Sequence, residues 1–440
     1  MKDDRLQELQ SMVAETRAAY SAGPVRIDRI KISNYKFFHG DFELAFNGKN
    51  VLIYGENGTG KSSIYRALEF LTKKEFKTIS EHRNIFAEEG DVLIEFGFTN
   101  ARELIIHPDL TELPEGMDFI KGLSVFTPML DYKKLLRVHY IPQANGDKIN
   151  VYEMLRLLFK DYPIDEDNPL SSIKDFTLYF DTLKKIVSGE LLSDINDLIN
   201  YFETDFKIAS FNFKTIFTEE GRPEPIVSID IDFRDTILES YHSFLNEARL
   251  SALAVSIYFA VIKKLLGTLK GDCLKILVLD DLLISLDMSN RLKLLEILKD
   301  RFTDFQIFFF THDKKLFEIY RNKMPWEQYE FYLDDTDPIH KPIIKKGSSD
   351  IERAKEFYAH KEYDCCALLL RKDFEKLLKS YLTPKEQRDK NCNELDLASL
   401  IGRAISKSAG EAKAILEKLN IDRKHILNPL SHNDDRNIYS

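Results

Sequence analysis

Hydrophobic and polar positions alternate through two early stretches, VRIDRIKIS (25–33) and DFELAF (41–46), the pattern of strands buried on one face. VLIY (51–54) is instead an unbroken apolar run that stops at a glycine-rich turn, and from Ser62 to Leu71 apolar residues recur at helical spacing. The order is strand, turn, helix. VLIEFGF (92–98) and ELII (103–106) predict a hairpin. Between 151 and 245 the pattern changes. Phe176, Phe180, Leu183 and Val187 lie on one helical stripe, Leu191, Ile195, Leu198 and Phe202 follow, and Val227 to Phe233 alternates as a strand. Pro163, Pro169, Pro223 and Pro225 argue against a long heptad coiled coil there. An α/β pattern returns with a helix over 247–266, strand ILVL (276–279), a helix over 289–301 and strand QIFFF (306–310). Beyond KKGSS (345–349) the segments 350–361, 364–382, 395–407 and 411–427 all read helical, an antiparallel four-helix module. Residues 1–20 pattern as an amphipathic helix ending near Gly23-Pro24.

Composition narrows the class. At 440 residues, the chain is long enough for two or three domains of about 150 residues each. Its 44% hydrophobic and 30% charged content exclude wholesale disorder. The net charge of −10 argues against a chain coated in basic residues for nucleic acid, though a local basic groove is compatible with it. Four cysteines without a C-x-x-C pair show neither zinc spacing nor a disulfide framework, and a reducing cytoplasm is the expectation. No apolar h-region opens the chain, and the most apolar segment, Ser251–Leu266, contains Lys263 and Lys264. It therefore predicts a buried helix in a soluble protein with no membrane span.

Three motifs carry chemistry. GENGTGKSS (Gly55–Ser63) satisfies G-x-x-x-x-G-K-[ST] with Gly55, Gly60, Lys61 and Ser62, and it lies between a predicted strand and a predicted helix. Backbone N–H groups of Asn57, Gly58, Thr59, Gly60 and Ser63 would curl round phosphate oxygens, helped by the positive end of the helix. Lys61 would reach the β- and γ-oxygens, and the Ser62 hydroxyl would take a place on Mg²⁺. KILVLDD then delivers two carboxylates at a strand's end: Asp280 for Mg²⁺, Asp281 to orient an attacking water. QIFFFTHD ends a further strand on Thr311-His312-Asp313, where α/β folds bind ligands.

Taken together, VRIDRIKISNYKFFHGDFELAFNGKNVLIYGENGTGKSSIYRAL, ILVLDDLLISLD and FFFTHD resemble the ABC-type ATPase heads of the SMC/RecF-like group. The resemblance implies an α/β fold with a P-loop ABC-type ATPase head, a short helical insert and an all-α C-terminal bundle. On it the chain divides into an N-terminal helix (1–24), an N-lobe with Walker A (25–150), a helical insert or short arms (151–245), a C-lobe with signature, Walker B, D-loop and His switch (246–345), and a helical module (346–440). The resemblance also implies ATP and Mg²⁺ as cofactors, slow hydrolysis, and a homodimer or higher even oligomer with ATP between two heads. His312 becomes the switch histidine and Asp287 the D-loop aspartate. LNEARLS (245–251) stands at the signature, with Asn246 at its serine and Glu247 and Ala248 at its glycines, so that Asn246 and Arg249 would face a partner head's nucleotide. For the Q-loop, Gln143 and polar groups near Asp131 stay open alternatives.

The short insert resembles RecF-like repair factors and bacterial anti-phage ATPases, and the signature and Walker B segments look more like the latter. That likeness implies a regulator of a partner effector, a nuclease, with a retron or other nucleic acid, and DNA or RNA contact without a membrane. YDCCALLLRKDFEKLLKSYL and DRKHILNPLSHNDD resemble HEPN-like bundles, whose catalytic members cleave RNA. Asn428 and His432 stand one helical turn apart as the candidate RNase pair, with Leu427 where that superfamily carries arginine. A self-contained RNA-cleaving toxin and a RecF-like repair ATPase are the alternatives to the regulator.

Overall fold

The computed structural model describes residues 23–88, 92–126, 128–131, 150–165, 168–202, 205–217, 220–238, 244–269, 271–281, 288–347 and 350–427. The helix expected over residues 1–20 lies outside them, as do Gln143, Asp287, Asn428 and His432. Two compact units divide the chain, Met1–Lys346 and Gly347–Ser440.

The first unit is built on a six-stranded sheet in the order β13 (Lys341–Lys346), β12 (Glu327–Asp334), β3 (Val51–Gly55), β11 (Gln306–Thr311), β10 (Ile276–Asp280), β6 (Met129–Asp131). All neighbours run parallel except β13 against β12. Every residue of β3 and of β11 is buried, as expected of central parallel strands covered on both faces, and this is why they read as unbroken apolar runs. A second, antiparallel sheet runs β2 (Asp41–Ala45), β1 (Ile27–Ser33), β4 (Leu93–Phe98), β5 (Glu103–Ile106). One buried side chain ties the sheets together. Gln306 Nε2 donates to the carbonyls of Ile27 (2.7 Å) and Lys49 (2.9 Å), and its Oε1 accepts the Ile27 N–H at 2.7 Å.

The helical insert holds α2 (Tyr152–Leu158), α3 (Phe176–Val187) and α4 (Glu190–Phe202), preceded in the chain by the P-loop helix α1 (Lys61–Lys73). It also carries a three-stranded antiparallel sheet of β7 (Phe206–Phe217), β8 (Pro223–Phe233) and β9 (Thr236–Leu238), of which only β8 is legible from alternation. Leu191, Ile195, Leu198 and Phe202 of α4 are buried in the same core as α5 (Glu247–Leu266), so the insert packs onto the head. α6 (Met288–Arg301) and α7 (Lys314–Lys323) complete the unit's longer helices.

The second unit holds α8 (Asp350–Ala359), α9 (Tyr363–Tyr381), α10 (Leu397–Lys407) and α11 (Gly410–Asp422), followed by a π-turn over Arg423–Leu427. Its main core is small, formed by Leu378, Leu382, Leu397, Leu400, Ile401 and Ala404. α11 buries none of its residues.

Candidate nucleotide site

Strand β11 lies between β3 and β10, so Gly55, Thr311 and Asp280 end side by side at the carboxyl edge of the sheet. The turn after β3 needs its glycines. Gly58 and Gly60 stand at φ +84° and +99°, backbone that side chains rarely adopt. A Cβ on Gly55 would sit 2.5 Å from Thr59 Oγ1 and 3.0 Å from Phe331 Cβ. Thr59 Oγ1 in turn donates to the Glu56 carbonyl at 2.8 Å, tightening the loop. The β1–β2 connection closes over it: Phe37 Cδ1 lies 3.1 Å from where a Gly60 Cβ would be, and the Phe37 N–H donates to Ser63 Oγ at 3.4 Å.

Lys61 is 6% exposed, its ammonium donating to the carbonyls of Gly55 and Glu56, the latter at 2.9 Å. Burial holds that ammonium below its ordinary pKa, against the opposing pull of Asp281, Asp280 and Glu56. Asn57, Gly58 and Ser62 are exposed at the loop's rim, while Thr59 and Ser63 are buried.

Beyond β10 the chain turns sharply. Asp281 has φ +47°, a left-handed conformation that aspartate tolerates better than most residues, while its N–H donates to the Phe310 carbonyl at 3.1 Å. Its Oδ1 accepts both the His312 N–H at 3.0 Å and His312 Nδ1 at 2.8 Å. The two side chains are 23% and 42% exposed, so the pair faces solvent beside Lys61. Asn246 caps α5, its Oδ1 accepting the Arg249 N–H at 2.9 Å. Arg249 is engaged within its own chain, 3.7 Å from Asp205 and with its guanidinium 5.2 Å from the Phe233 ring centroid. The structure thus brings Lys61, Asp280, Asp281 and His312 to one sheet edge. Asn246 and Arg249 stand on another element, at the start of α5.

Asp313 lies inside the Thr311-His312-Asp313 motif without a role of its own there, and no motif marks Arg291. The two form an ion pair at 2.5 Å next to His312. A long-range contact of this kind leaves no local pattern. A pocket of about 300 Å³ also opens on the outer face of α1, lined by Lys36, Arg66, Lys73 and His82 among others. Glu69 there is held by Arg66 (2.5 Å) and Lys73 (3.0 Å).

A P-loop ending a parallel strand, with a histidine at the end of the adjacent strand and two carboxylates at the end of the next, defines a P-loop ATPase. Residues 29–426 match the AAA domain family, and the chain belongs to it. Its fold is similar to the SMC head bound to the C-winged helix domain of ScpA (12% identity, 75% of this chain and 99% of that one, TM-score 0.43). It is similar also to the SMC head domain from Thermotoga maritima (14%, 73% and 99%, TM-score 0.36). A third similar structure is the SMC head with an extended coiled coil bound to the C-terminal domain of ScpA derived from Pyrococcus furiosus (10%, 77% and 100%, TM-score 0.40). No curated protein matches the sequence. Among the described residues, no helix is long and apolar enough to cross a membrane.

Proposed function

We propose that this ATPase works as a pair of heads closing on ATP, and that Asp281 and His312 form its hydrolytic pair. The observation that carries the reading is the contact of His312 Nδ1 with Asp281 Oδ1 at 2.8 Å, His312 following the strand beside the one that opens into the P-loop and Asp281 the strand after that. Oδ1 holds both His312 donors, which leaves Oδ2 to orient a water. Lys61 would hold phosphate oxygens in place of the Gly55 and Glu56 carbonyls it now meets. Among the described residues no group of three or more His, Cys, Asp or Glu side chains could hold a metal by itself. That fits Mg²⁺ held by Ser62, Asp280 and phosphate oxygens, since this ion commonly keeps only one or two protein carboxylates. When bound, it would neutralise phosphate charge. Asn246, with its side-chain oxygen spent on the cap, has its amide N–H₂ to offer a second head's nucleotide, and Asp287 and Arg249 would stand near it.

Of the uses open to such a pair, the RecF-like one, ATP-dependent contact with duplex DNA, has support in the α1 pocket, where the cations Lys36, Arg66 and Lys73 outnumber the carboxylates Glu75 and Glu69, the latter paired with Arg66 and Lys73, a balance that favours phosphodiester oxygens. Exposed Leu377, Ile415 and Ile421 support a docking role for Gly347–Ser440. No observation among the described residues favours RNA cleavage, a nuclease partner or anti-phage defence over these.

The test is Lys61→Ala. ATP binding by calorimetry should be lost, and with it ATP-dependent dimerisation by light scattering and salt-sensitive duplex binding, while thermal stability holds. Wild-type ATP affinity in this variant would overturn the site assignment. Dimers or DNA complexes indifferent to ATP would overturn the paired-head reading.

A further inference from the structure

Asp313 directly follows His312 and opens α7, and it is held from two sides. Its Oδ1 accepts the Leu316 N–H at 3.0 Å, capping the helix, and its Oδ2 accepts from Arg291 Nη1 at 2.5 Å. Burial works to raise the Asp313 pKa, but the Leu316 N–H and the Arg291 guanidinium outweigh it and keep the carboxyl below its ordinary value, hence charged. The Arg291 side chain is 16% exposed. The backbone of Arg291 is fixed as well, its carbonyl accepting from the hydroxyl of Tyr320, a fully buried residue of α7, at 2.7 Å. Arg291 therefore joins the first turn of α6 to the first turn of α7.

That position closes a circuit. α6 starts at Met288, a short segment after Asp281, so Arg291 is tied by the chain to one member of the Asp281–His312 pair. Through Asp313 it is tied to the other. We propose that Arg291 is a positioning residue for ATP hydrolysis: by holding Asp313 it sets His312 against Asp281, and a shift at the start of α6 passes through it to the hydrolytic pair. The inference rests on the hydrolytic role given above to Asp281 and His312. Its physical basis is exposure. The His312 ring is 42% exposed and meets Asp281 through one ring hydrogen bond, so its place depends on the backbone step into Asp313. Displacements near 1 Å from a productive geometry cost roughly 100-fold in rate.

The experiment compares ATP turnover at saturating ATP for the full chain and for Arg291→Ala, Arg291→Lys, His312→Ala and the Arg291→Ala/His312→Ala double variant. Arg291→Ala should lower kcat by roughly 10- to 100-fold with ATP affinity within about threefold of wild type. Arg291→Lys, which keeps a cation for Asp313, should recover most of the rate. In the His312→Ala background, Arg291→Ala should add no further loss, because a residue that acts through His312 has nothing left to position. A normal kcat in Arg291→Ala, or an equal loss in both backgrounds, would overturn the inference. If Arg291→Ala does not fold, Asp313→Asn serves in its place, since its amide oxygen keeps the helix cap and loses the charge. Wild-type turnover in His312→Ala sinks the hydrolytic reading itself, and slow His312→Ala beside normal Arg291→Ala sinks only the positioning role.

Discussion

Asp281→Asn separates the charge of the hydrolytic pair from its geometry. Asparagine is nearly isosteric and is among the residues that best tolerate the left-handed conformation at φ +47°. Its amide oxygen can accept the same two hydrogen bonds from His312, now at 3.0 and 2.8 Å. What is lost is the charge on one acceptor, roughly 1 kcal/mol of hydrogen-bond strength, so folding stability should move by no more than about that. Asp281→Ala would be a poorer probe. It leaves two donors of His312 without this acceptor and adds roughly 1 kcal/mol of backbone cost at positive φ. For the chemical step, loss of a group that orients and activates water costs roughly 10²–10⁴ in rate, and the lower bound corresponds to about 2.7 kcal/mol. Binding should not suffer, because the substitution removes negative charge from the neighbourhood of Lys61 and of the phosphates it would hold. Phosphate release at saturating Mg²⁺·ATP gives the rate, calorimetry the affinity, and light scattering the mass with ATP. The expected result is turnover down at least 100-fold with ATP still bound and the ATP-dependent dimer persisting. Turnover within about threefold of wild type refutes the reasoning, and a large loss of ATP affinity would make Asp281 a binding residue instead.

Two further predictions concern the frame that holds the site. Gln306→Leu leaves the Ile27 N–H and the carbonyls of Ile27 and Lys49 without their buried partner, and at roughly 1–3 kcal/mol for each of the three it should destabilise the first unit by about 3–9 kcal/mol in urea unfolding. A loss under about 1 kcal/mol would show that the sheets are not joined there. Burial alone would raise the pKa of Glu330, but Lys314, Tyr332 and Arg321 outweigh it and hold the group below its ordinary value. Its stabilising contribution is therefore present above that value and lost as pH falls through the lower native one. Glu330→Gln should narrow the difference between urea midpoints measured near pH 7 and near pH 3, and an unchanged difference would contradict the sign.

Local rules were enough for the pieces. The turn Gly55–Ser63 is written in its own residues, since only glycine suits φ +84° and +99° at Gly58 and Gly60 without strain. The unbroken apolar runs of β3, β10 and β11 announce strands covered on both faces, and the alternation in β1 announces one covered face. Periodicity says which side of an element is buried, and nothing about which element buries it. The sequence therefore predicts His312 at a strand end but not that β11 lies between β3 and β10, which is what brings the histidine to Asp281. The sheet of the insert is half hidden for the same reason: the outer end of β7 is exposed on both faces, so no alternation marks it. Gln306 looks like a polar residue opening an apolar strand, and Arg291 like one more charge on an amphipathic helix. Each finds its partner across a long stretch of chain, Ile27 for one and Asp313 for the other, and hydrogen bonds and ion pairs formed at such separation exist only once the strands and helices have packed.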